Sequence, residues 1–352
     1  MMLNMRIARG PLKEDEYAAI LTEYNRLTSA DIPMDEFLRW VQASPDGPAW
    51  HAILETDEGR IVGHTSVLPV RAGFQDKYLI SGMSEYSFVH EDFRKIKIKG
   101  MESVGRPTFI ILLDHLFRHC IQQGCEPIFA STNEKNQIFT RKVGLRPAEF
   151  PLRECLLTLR PAAAARHTPN LSSRQRAALL AIGIAQSALW TVLRPFSRRN
   201  PGIHVVPIGS ETLSLDQARL SFYEEKESLR WRFIPEQYVL YMFDQAPRDY
   251  MIVKRGRADR YQRVCQYRLR SPSSVGPIIY TLLEQARTDH AIGIRWAVYD
   301  EGAMTEEIVK KLRSLGFLCA RRTRIVMVHK DFSTYLQPSA WRMSDTHFCF
   351  DP

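Results

Sequence analysis

The spacing of apolar residues over the first 145 positions predicts helices and strands in alternation. Apolar positions three or four residues apart predict helices over 14–27, 35–41, 107–123 and 135–143. Apolar runs bounded by turn residues predict strands over 50–54, 60–69, 75–89 and 127–131, with turn residues near Ser81 and Gly82 inside the third. Gly124 and Gly144 follow two of the helices, where a glycine commonly ends a helix. Such alternation is typical of an α/β sandwich.

The segment 161–205 reads as a connector. Residues 162–169 are predicted to be irregular in structure. Ser172 or Ser173 then caps a helix that includes 177–193, seventeen residues without a charge. At 1.5 Å per residue this run is about 25 Å long, short of the roughly 30 Å hydrocarbon core of a bilayer. Three interpretations remain open: a helix buried between two domains, an interfacial helix with Trp190 at the boundary, and a membrane span.

After the connector the same order of elements begins again. Helical spacing recurs over 215–223, 275–291 and 305–315, and strand patterns recur over 249–254, 263–269, 293–299 and 323–329. The chain therefore predicts two domains of one fold, 1–160 and 206–352, joined by the helical connector 161–205.

Positive charge is concentrated in the connector. The chain has 352 residues and a formal net charge of +9. Between Glu154 and Glu211 there is no acidic residue, and seven arginines lie in that window: Arg160, Arg166, Arg174, Arg176, Arg194, Arg198 and Arg199. This asymmetry predicts an anionic partner for the connector, 160–199, either the acidic acyl carrier protein or an anionic membrane surface.

The cysteines and the N-terminus indicate a cytoplasmic protein. The six cysteines form no Cys-x-x-Cys pair and have no zinc-type spacing, so reduced and mostly buried thiols are predicted, with a structural disulfide as the alternative. Residues 1–9 contain no apolar signal segment. The arginines of the connector leave peripheral association with the inner membrane open.

Residues 59–145 carry an ordered set of short motifs. A Gly59–Gly63 turn and strand lead to the run Phe88–Arg94, and a basic loop then precedes the helix at Pro107. The runs 128–133 and 138–145 close the set. This order resembles the acyl-CoA-binding half of the GNAT superfamily of acyltransferases, and the final run 341–347 resembles the endings of tandem acyltransferase-like proteins of bacterial polysaccharide gene clusters. The resemblance implies two GNAT-like domains, each a mixed, mostly antiparallel sheet flanked by helices, the second degenerate.

The resemblance also implies a site for acetyl-CoA or another acyl-CoA as co-substrate. In the family, backbone N–H groups and a helix N-terminus hold the diphosphate. The matching positions here are Phe88, Val89, Arg94, Gly100, Gly105, Arg106 and Thr108, with Lys97 and Lys99 adding positive charge. The loop is about eight residues longer than the family pattern and its glycines are spread out. Because Lys95–Lys99 alternates lysine with isoleucine, a solvated basic hairpin is the alternative.

The predicted catalytic residues are Glu85 and Asn133. Glu85 lies on the strand before the loop and can act as general base if burial raises its pKa; its alternative is an edge-strand carboxylate in a salt bridge. Asn133 matches a family asparagine that makes a backbone or acceptor contact. The tyrosine that often serves as general acid in the family is missing, because Thr140 and Phe139 occupy the nearest positions.

Other chemistries find little support in the sequence. His115 and His119 are one helical turn apart, but no HExxH motif accompanies them, so no metal site is predicted. The aromatic residues do not form a basic stacking stripe, which argues against nucleic-acid binding.

The predicted function is N-acyl transfer from acyl-CoA, or from acyl carrier protein, to an amine of a sugar or an amino acid. Two alternatives remain open. One is a Fem-type transferase that uses aminoacyl-tRNA, which the basic charge would suit, although no long helical arm is evident. The other is a non-catalytic GNAT-like scaffold in polysaccharide assembly, which the missing tyrosine would suit.

Overall fold

Over the residues that it describes, a computed structural model shows one mixed sheet of thirteen strands flanked by helices. It describes residues 2–75, 77–101, 106–131, 140–168, 171–193, 202–210, 213, 219–222, 225–244, 249–269, 274–299 and 303–342. The elements of the first half are β1 (Asn4–Arg9), α1 (Glu14–Thr28), α2 (Met34–Gln42), β2 (Trp50–Glu55), β3 (Ile61–Phe74), β4 (Lys77–Val89), α3 (Thr108–Gln122), β5 (Ile128–Ser131) and β6 (Leu145–Thr158).

The connector and the second half supply the remaining elements. These are α4 (Pro161–His167), α5 (Ser173–Leu193), β7 (Ile203–Val206), β8 (Ser221–Phe222), α6 (Lys226–Arg232), β9 (Tyr238–Phe243), β10 (Tyr250–Lys254), β11 (Gln262–Arg268), α7 (Val275–Thr288), β12 (Gly293–Tyr299), α8 (Ala303–Ser314) and β13 (Leu318–His329).

The two halves have the same strand pairing. In the first half β1, β2, β3 and β4 are antiparallel neighbours, and β4 pairs in parallel with β5. In the second half β7, β9, β10 and β11 are antiparallel neighbours, and β11 pairs in parallel with β12. A helix, α3 or α7, connects each parallel pair. The predicted repetition of one fold is confirmed.

The last strand of each half lies in the middle of the sheet, between the two halves. β13 pairs with β5 of the first half, β6 pairs with β12 of the second half, and β6 and β13 pair with each other. Each half is therefore completed by a strand from the other. The sequence patterns above do not predict β6.

A disulfide joins these two central strands. Cys155 of β6 and Cys319 of β13 are direct partners in the ladder, and their sulfur atoms are bonded. The prediction of reduced thiols is wrong for this pair, because strand pairing brings together two cysteines that are 164 residues apart. Cys120, Cys125 and Cys265 are buried and take no part in this disulfide.

The core of the first half lies on both faces of its sheet. Successive residues of a strand point to opposite faces, so Ala52 joins the cluster under α3 while Ile53 joins the cluster under α1 and α2. The predicted turn at Ser81 and Gly82 is wrong, since both residues lie inside β4. A Cβ on Gly82 would be 2.7 Å from Val67 Cγ1, so the glycine serves close packing.

The connector differs from its prediction in two ways. Residues 161–167 form α4 where loose chain was predicted. Only one side of α5 is buried, with Gly183, Gln186 and Trp190 facing the protein, so a helix enclosed between domains is not observed. Among the helices that the structure describes, none is long and apolar enough to cross a membrane.

Two predicted helices, 215–223 and 135–143, lie partly outside the residues that the structure describes. In the predicted helix 215–223, Ser221 and Phe222 instead form β8, which pairs with Gly73 and Ala72 of β3. The other residues of that helix lie outside the described residues, except 219 and 220. Most of the predicted helix 135–143 also lies outside them.

Candidate active site

A cavity opens beside β4 where its pairing with β5 ends. The parallel pairing runs from Gly82 and Ile128 to Ser84 and Ala130. The following residues of β4 line a cavity of about 620 Å³. Of the predicted site residues, this wall brings together Glu85, Phe88, Val89 and Arg94. The rest of the lining is mainly apolar or small: Tyr24, Leu27, Thr28, Ser84, Tyr86, Ser87, Pro107, Phe109, Leu113, Phe117, Ala130, Thr140 and Leu145.

A β-bulge shapes this wall. Ser66 of β3 pairs with Glu85, but His64, two residues away, pairs with Phe88, three residues away, so β4 contains one extra residue. Tyr86 within the bulge has a φ of 51°. A bulge re-aims the side chains next to it, and here those side chains are Glu85 and Ser87.

Two buried histidines form a hydrogen-bonded chain to the backbone of the bulge. His64 Nδ1 lies 2.9 Å from the carbonyl oxygen of Tyr86. Because a carbonyl can only accept, Nδ1 carries the proton and donates. His64 Nε2 then accepts from His51 Nδ1, 3.0 Å away. Burial lowers the pKa of His64 from 6.5 to about 4 and the pKa of His51 well below its usual value, so both rings are neutral at pH 7.

The backbone N–H of Val89 points into the opening. His90 N donates to Val62 O of β3, at 2.8 Å. In an antiparallel ladder, successive residues direct their N–H groups alternately to the two neighbouring strands. The N–H of Val89 is therefore directed away from β3, toward the side where β4 has left β5.

The carboxyl of Glu85 has a strongly raised pKa. Burial raises it from 4.5 to about 8, and the positive charge of Arg232 opposes the change only in part. The alternative of a salt-bridged edge carboxylate is not observed, because no ion pair of Glu85 occurs within the described residues. A carboxyl of this kind can accept a proton from a substrate near neutral pH.

Tyr24 of α1 is a site residue that the sequence analysis missed. It lines the cavity, and burial followed by the charge of Glu85 raises its pKa to about 12. Its ring meets that of Tyr86 edge-on at 5.3 Å. In the sequence, Tyr24 reads as one of the apolar positions of a helix, and nothing nearby marks it as functional.

The start of α3 and its preceding loop contain the remaining predicted residues. Thr108 begins α3. Its hydroxyl lies 3.0 Å from both Phe93 O and Ile96 O, so its proton is directed to the loop and not to the cavity. Arg106 is paired with Asp114 at 3.4 Å. Gly100 lies in an exposed turn with φ 74°.

The lysine–isoleucine alternation has a structural role. Ile98 is buried and forms a bridge with Leu3, while Lys97 and Lys99 are exposed. The isoleucine thus packs inward while these lysines face solvent. Gly105 and Asn133 lie outside the described residues. Within the part that the structure describes, no three His, Cys, Asp or Glu side chains are grouped to hold a metal ion.

The sequence matches no protein-family model and no curated protein. Solved structures do match. A probable N-acyltransferase from Enterococcus faecalis V583 has a TM-score of 0.58 at 9% identity, covering 92% of this chain and 71% of that one. A tandem GNAT protein from the clavulanic acid biosynthesis pathway has a TM-score of 0.53 at 13% identity, covering 92% and 98%. The fold is that of the GNAT acyltransferases, in tandem form.

A third similar structure is N-myristoyltransferase of Saccharomyces cerevisiae with bound myristoyl-CoA. Its TM-score is 0.55 at 12% identity, and the match covers 93% of this chain and 82% of that chain. The GNAT fold predicted from the ordered motifs is thus confirmed. Similarity at these identities concerns the fold, and the chemistry has to be argued from the residues of the site.

Proposed function

We propose that this protein is an N-acyltransferase that moves an acyl group from acyl-CoA to a primary amine of a sugar or an amino acid. The observation that carries the proposal is Glu85, whose carboxyl has a pKa of about 8 and lines the cavity where β4 leaves β5. The tandem GNAT fold supports acyl-CoA as the donor.

The lining of the cavity suits a thioester. The N–H of Val89 is directed into the opening and can donate to the carbonyl oxygen of the thioester, where negative charge develops during attack. Leu27, Phe109, Leu113 and Phe117 offer an apolar wall to the acyl chain or the pantetheine arm. Arg94 lines the same cavity and lies close to the start of α3, so it can contribute positive charge for the diphosphate.

The reaction is an acyl substitution. The amine nitrogen forms a bond to the carbonyl carbon, the carbon–sulfur bond breaks, and coenzyme A leaves as the thiolate. The nitrogen loses one proton, and Glu85 accepts it. A base with a pKa near the operating pH combines a usable ionised fraction with enough basicity, which is the condition for efficient general-base catalysis.

Binding and turnover test the proposal separately. Titration calorimetry should detect binding of coenzyme A or an acyl-CoA, and thiol release in the presence of amines should report turnover. Glu85→Gln should lower kcat about 100-fold or more with little change in the Kd of acyl-CoA. Gly105→Glu, which places a side chain and a negative charge next to the predicted diphosphate position, should abolish binding.

The outcomes distinguish the alternatives. Binding without turnover for any amine would favour a non-catalytic scaffold. Turnover that requires aminoacyl-tRNA and falls with salt would favour a Fem-type transferase. Failure of every acyl-CoA to bind would refute the proposed donor.

A further inference from the structure

We propose that the amine acceptor carries an anionic group, a carboxylate or a phosphate, which arginines of the second half bind. This inference rests on the proposed acyl transfer and names the class of its acceptor. It starts from a second cavity, of about 690 Å³, which shares Tyr24, Thr28 and Tyr86 with the cavity described above. A molecule in the second cavity is thus adjacent to Glu85 across a wall of two tyrosines.

The second cavity lies between the two halves of the chain. One wall is the segment from the end of α1 to the start of α2, including Ser29, Asp31, Pro33 and Glu36. The opposite wall comes from the turn between β10 and β11, with Glu236, Gln237 and Asp289 beside it. Neither half forms this space alone.

Positive charge is concentrated on the wall of the second half. Four cationic residues of one short segment line it: Lys254, Arg255, Arg257 and Arg260. Asp289 lies 3.8 Å from Arg255 and Asp259 lies 3.9 Å from Arg260, so part of this charge is neutralised. For Arg257, no carboxylate lies within ion-pair distance among the described residues. The wall of the first half carries the acidic Asp31 and Glu36 instead.

The backbone of the arginine turn is held in place. Arg257 N donates to Arg260 O at 3.3 Å, and Arg260 N donates to Arg257 O at 3.1 Å. Gly256 is buried, and a Cβ on it would lie 2.2 Å from Ala291 Cβ. The exposed guanidinium groups therefore extend from a fixed base. A guanidinium recognises a carboxylate or phosphate through two parallel hydrogen bonds.

This separation of charge suits an acceptor that has an anionic group at one end and an amine at the other. Its anionic end would face Arg257 and Arg260, and its amine end, neutral when it attacks, would face the wall that carries Asp31 and Glu36. Such an acceptor is an amino acid, or an amino sugar that bears a phosphate or carboxylate. A neutral amine of the same size would offer Arg257 no anionic partner.

The test compares paired acceptors with acyl-CoA held constant. Glucosamine 6-phosphate is compared with glucosamine, and an amino acid with its amide, so the two arms distinguish phosphate from carboxylate. For the preferred anionic acceptor, Arg257→Gln should raise KM about tenfold, and adding Arg260→Gln should raise it further, because each removes a charge-assisted hydrogen bond. Arg166→Gln, an exposed arginine of α4 outside the cavity, is the matched control and should leave KM unchanged.

The outcomes separate this inference from the proposed function. If acyl-CoA binds and neutral amines are acylated as well as their anionic partners, or if both arginine variants keep their KM, the anionic acceptor is refuted while acyl transfer stands. If no acyl-CoA binds in calorimetry, the proposed function itself fails. A midpoint temperature of thermal unfolding equal to that of wild type shows that each variant is folded.

A separate observation concerns α5, and we infer that its outer side lies on an anionic membrane surface. Ile182, Ile184 and Leu189 are 40%, 59% and 40% exposed, and between residues 177 and 191 five of the six other exposed positions are alanine. The inner side is fixed by Gln186, whose amide donates to Leu156 O and Gly316 O. The apolar outer side is therefore held outward by specific bonds.

Charge identifies the occupant of this surface. No acidic residue occurs between Glu154 and Glu211, and Arg166, Arg174 and Arg176 are exposed at and before the start of α5. An apolar helix side next to arginines matches the boundary between acyl chains and anionic headgroups. A second copy of this chain would bring the same arginines together, which like charges oppose.

Flotation with liposomes tests this inference. The full-length protein should float with vesicles of phosphatidylcholine and phosphatidylglycerol, and less in high salt or with phosphatidylcholine alone. Ile184→Gln and Arg174→Gln should each lower the partition coefficient, the latter about fivefold. Val205→Gln on β7, also an exposed apolar side chain, is the matched control. Absence of flotation with every vesicle, or a dimer in sedimentation that Ile184→Gln dissociates, would refute the membrane surface.

Discussion

Replacing Glu85 by glutamine changes how the stability of the protein depends on pH. The carboxyl of Glu85 has a pKa of about 8 in the folded protein, because burial raises it from 4.5. In the unfolded chain the same group should titrate near 4.3. Below both pKa values the group is protonated in both states and contributes no penalty. As pH rises, the unfolded chain releases the proton first, and wild-type stability should fall until about pH 8.

The size of this effect follows from the two pKa values. A difference of one pKa unit corresponds to 1.36 kcal/mol, and the rise from 4.5 to about 8 therefore corresponds to about 5 kcal/mol. Between these limits, wild-type stability should decrease by about 1.4 kcal/mol per pH unit from this group. Glu85→Gln has no proton to lose, so its stability relative to wild type should increase with pH and level off above pH 8.

Urea unfolding of both proteins, at intervals from pH 5 to pH 9, measures the difference. Glu58→Gln, which changes an exposed carboxyl in the turn after β2, is the control and should follow wild type. In wild type, kcat/KM should rise with pH with an apparent pKa near 8, because the ionised carboxylate of Glu85 is the base. Glu85→Gln should remove this rise. Parallel stability curves for wild type and Glu85→Gln would show that the carboxyl is solvated, and the proposed base would lose its physical support.

Three further predictions concern buried contacts, and the last of them lies next to the cavity. Arg71→Met should lower the free energy of unfolding by about 2–3 kcal/mol, because Asp46, 2.9 Å from Arg71 and almost fully buried, would lose its partner; Asp46→Asn should recover part of the loss in urea unfolding. Trp341→Ala should cost about 3–5 kcal/mol in the same assay, since its ring is 2% exposed. Gly63→Ala should raise the KM of acyl-CoA roughly tenfold in steady-state kinetics, because its Cβ would lie 3.1 Å from Val89 Cγ2 and displace that residue.

Local pattern was sufficient for much of the fold. α3 was predicted to within a residue or two, because its apolar stripe is regular and Gly124 follows its end. β6 was not predicted, because its side chains do not alternate cleanly and include Arg153 and Glu154. Glu154 is stabilised by Arg295 at 2.7 Å, a partner 141 residues away. Local sequence does not show such a partner.

The cavity wall was predictable where backbone motifs are ordered along the chain. Glu85 and Val89, which the order of strand, loop and helix indicated, both line the cavity, and their chemical roles stay predictions. The bulge does not, since a positive φ at a tyrosine has no sequence signal comparable to glycine. His64, which bonds to the bulge, lies in an apolar strand pattern. Tyr24 lies on α1, 61 positions before Glu85, although both line the cavity. Only the tertiary structure brings these residues together.

The second half contributes charge and contacts next to the cavity of the first half. Arg232 of α6 moderates the pKa of Glu85. Next to it, Trp231 Nε1 donates to Arg39 O at 3.0 Å, and Arg39 Nη1 donates to Trp231 O at 3.3 Å, so α6 is bonded to α2 of the first half. The exchanged strands β6 and β13 fix the two halves in this relation. α6 and the arginine turn of the second half are thereby held beside the cavities that the first half lines.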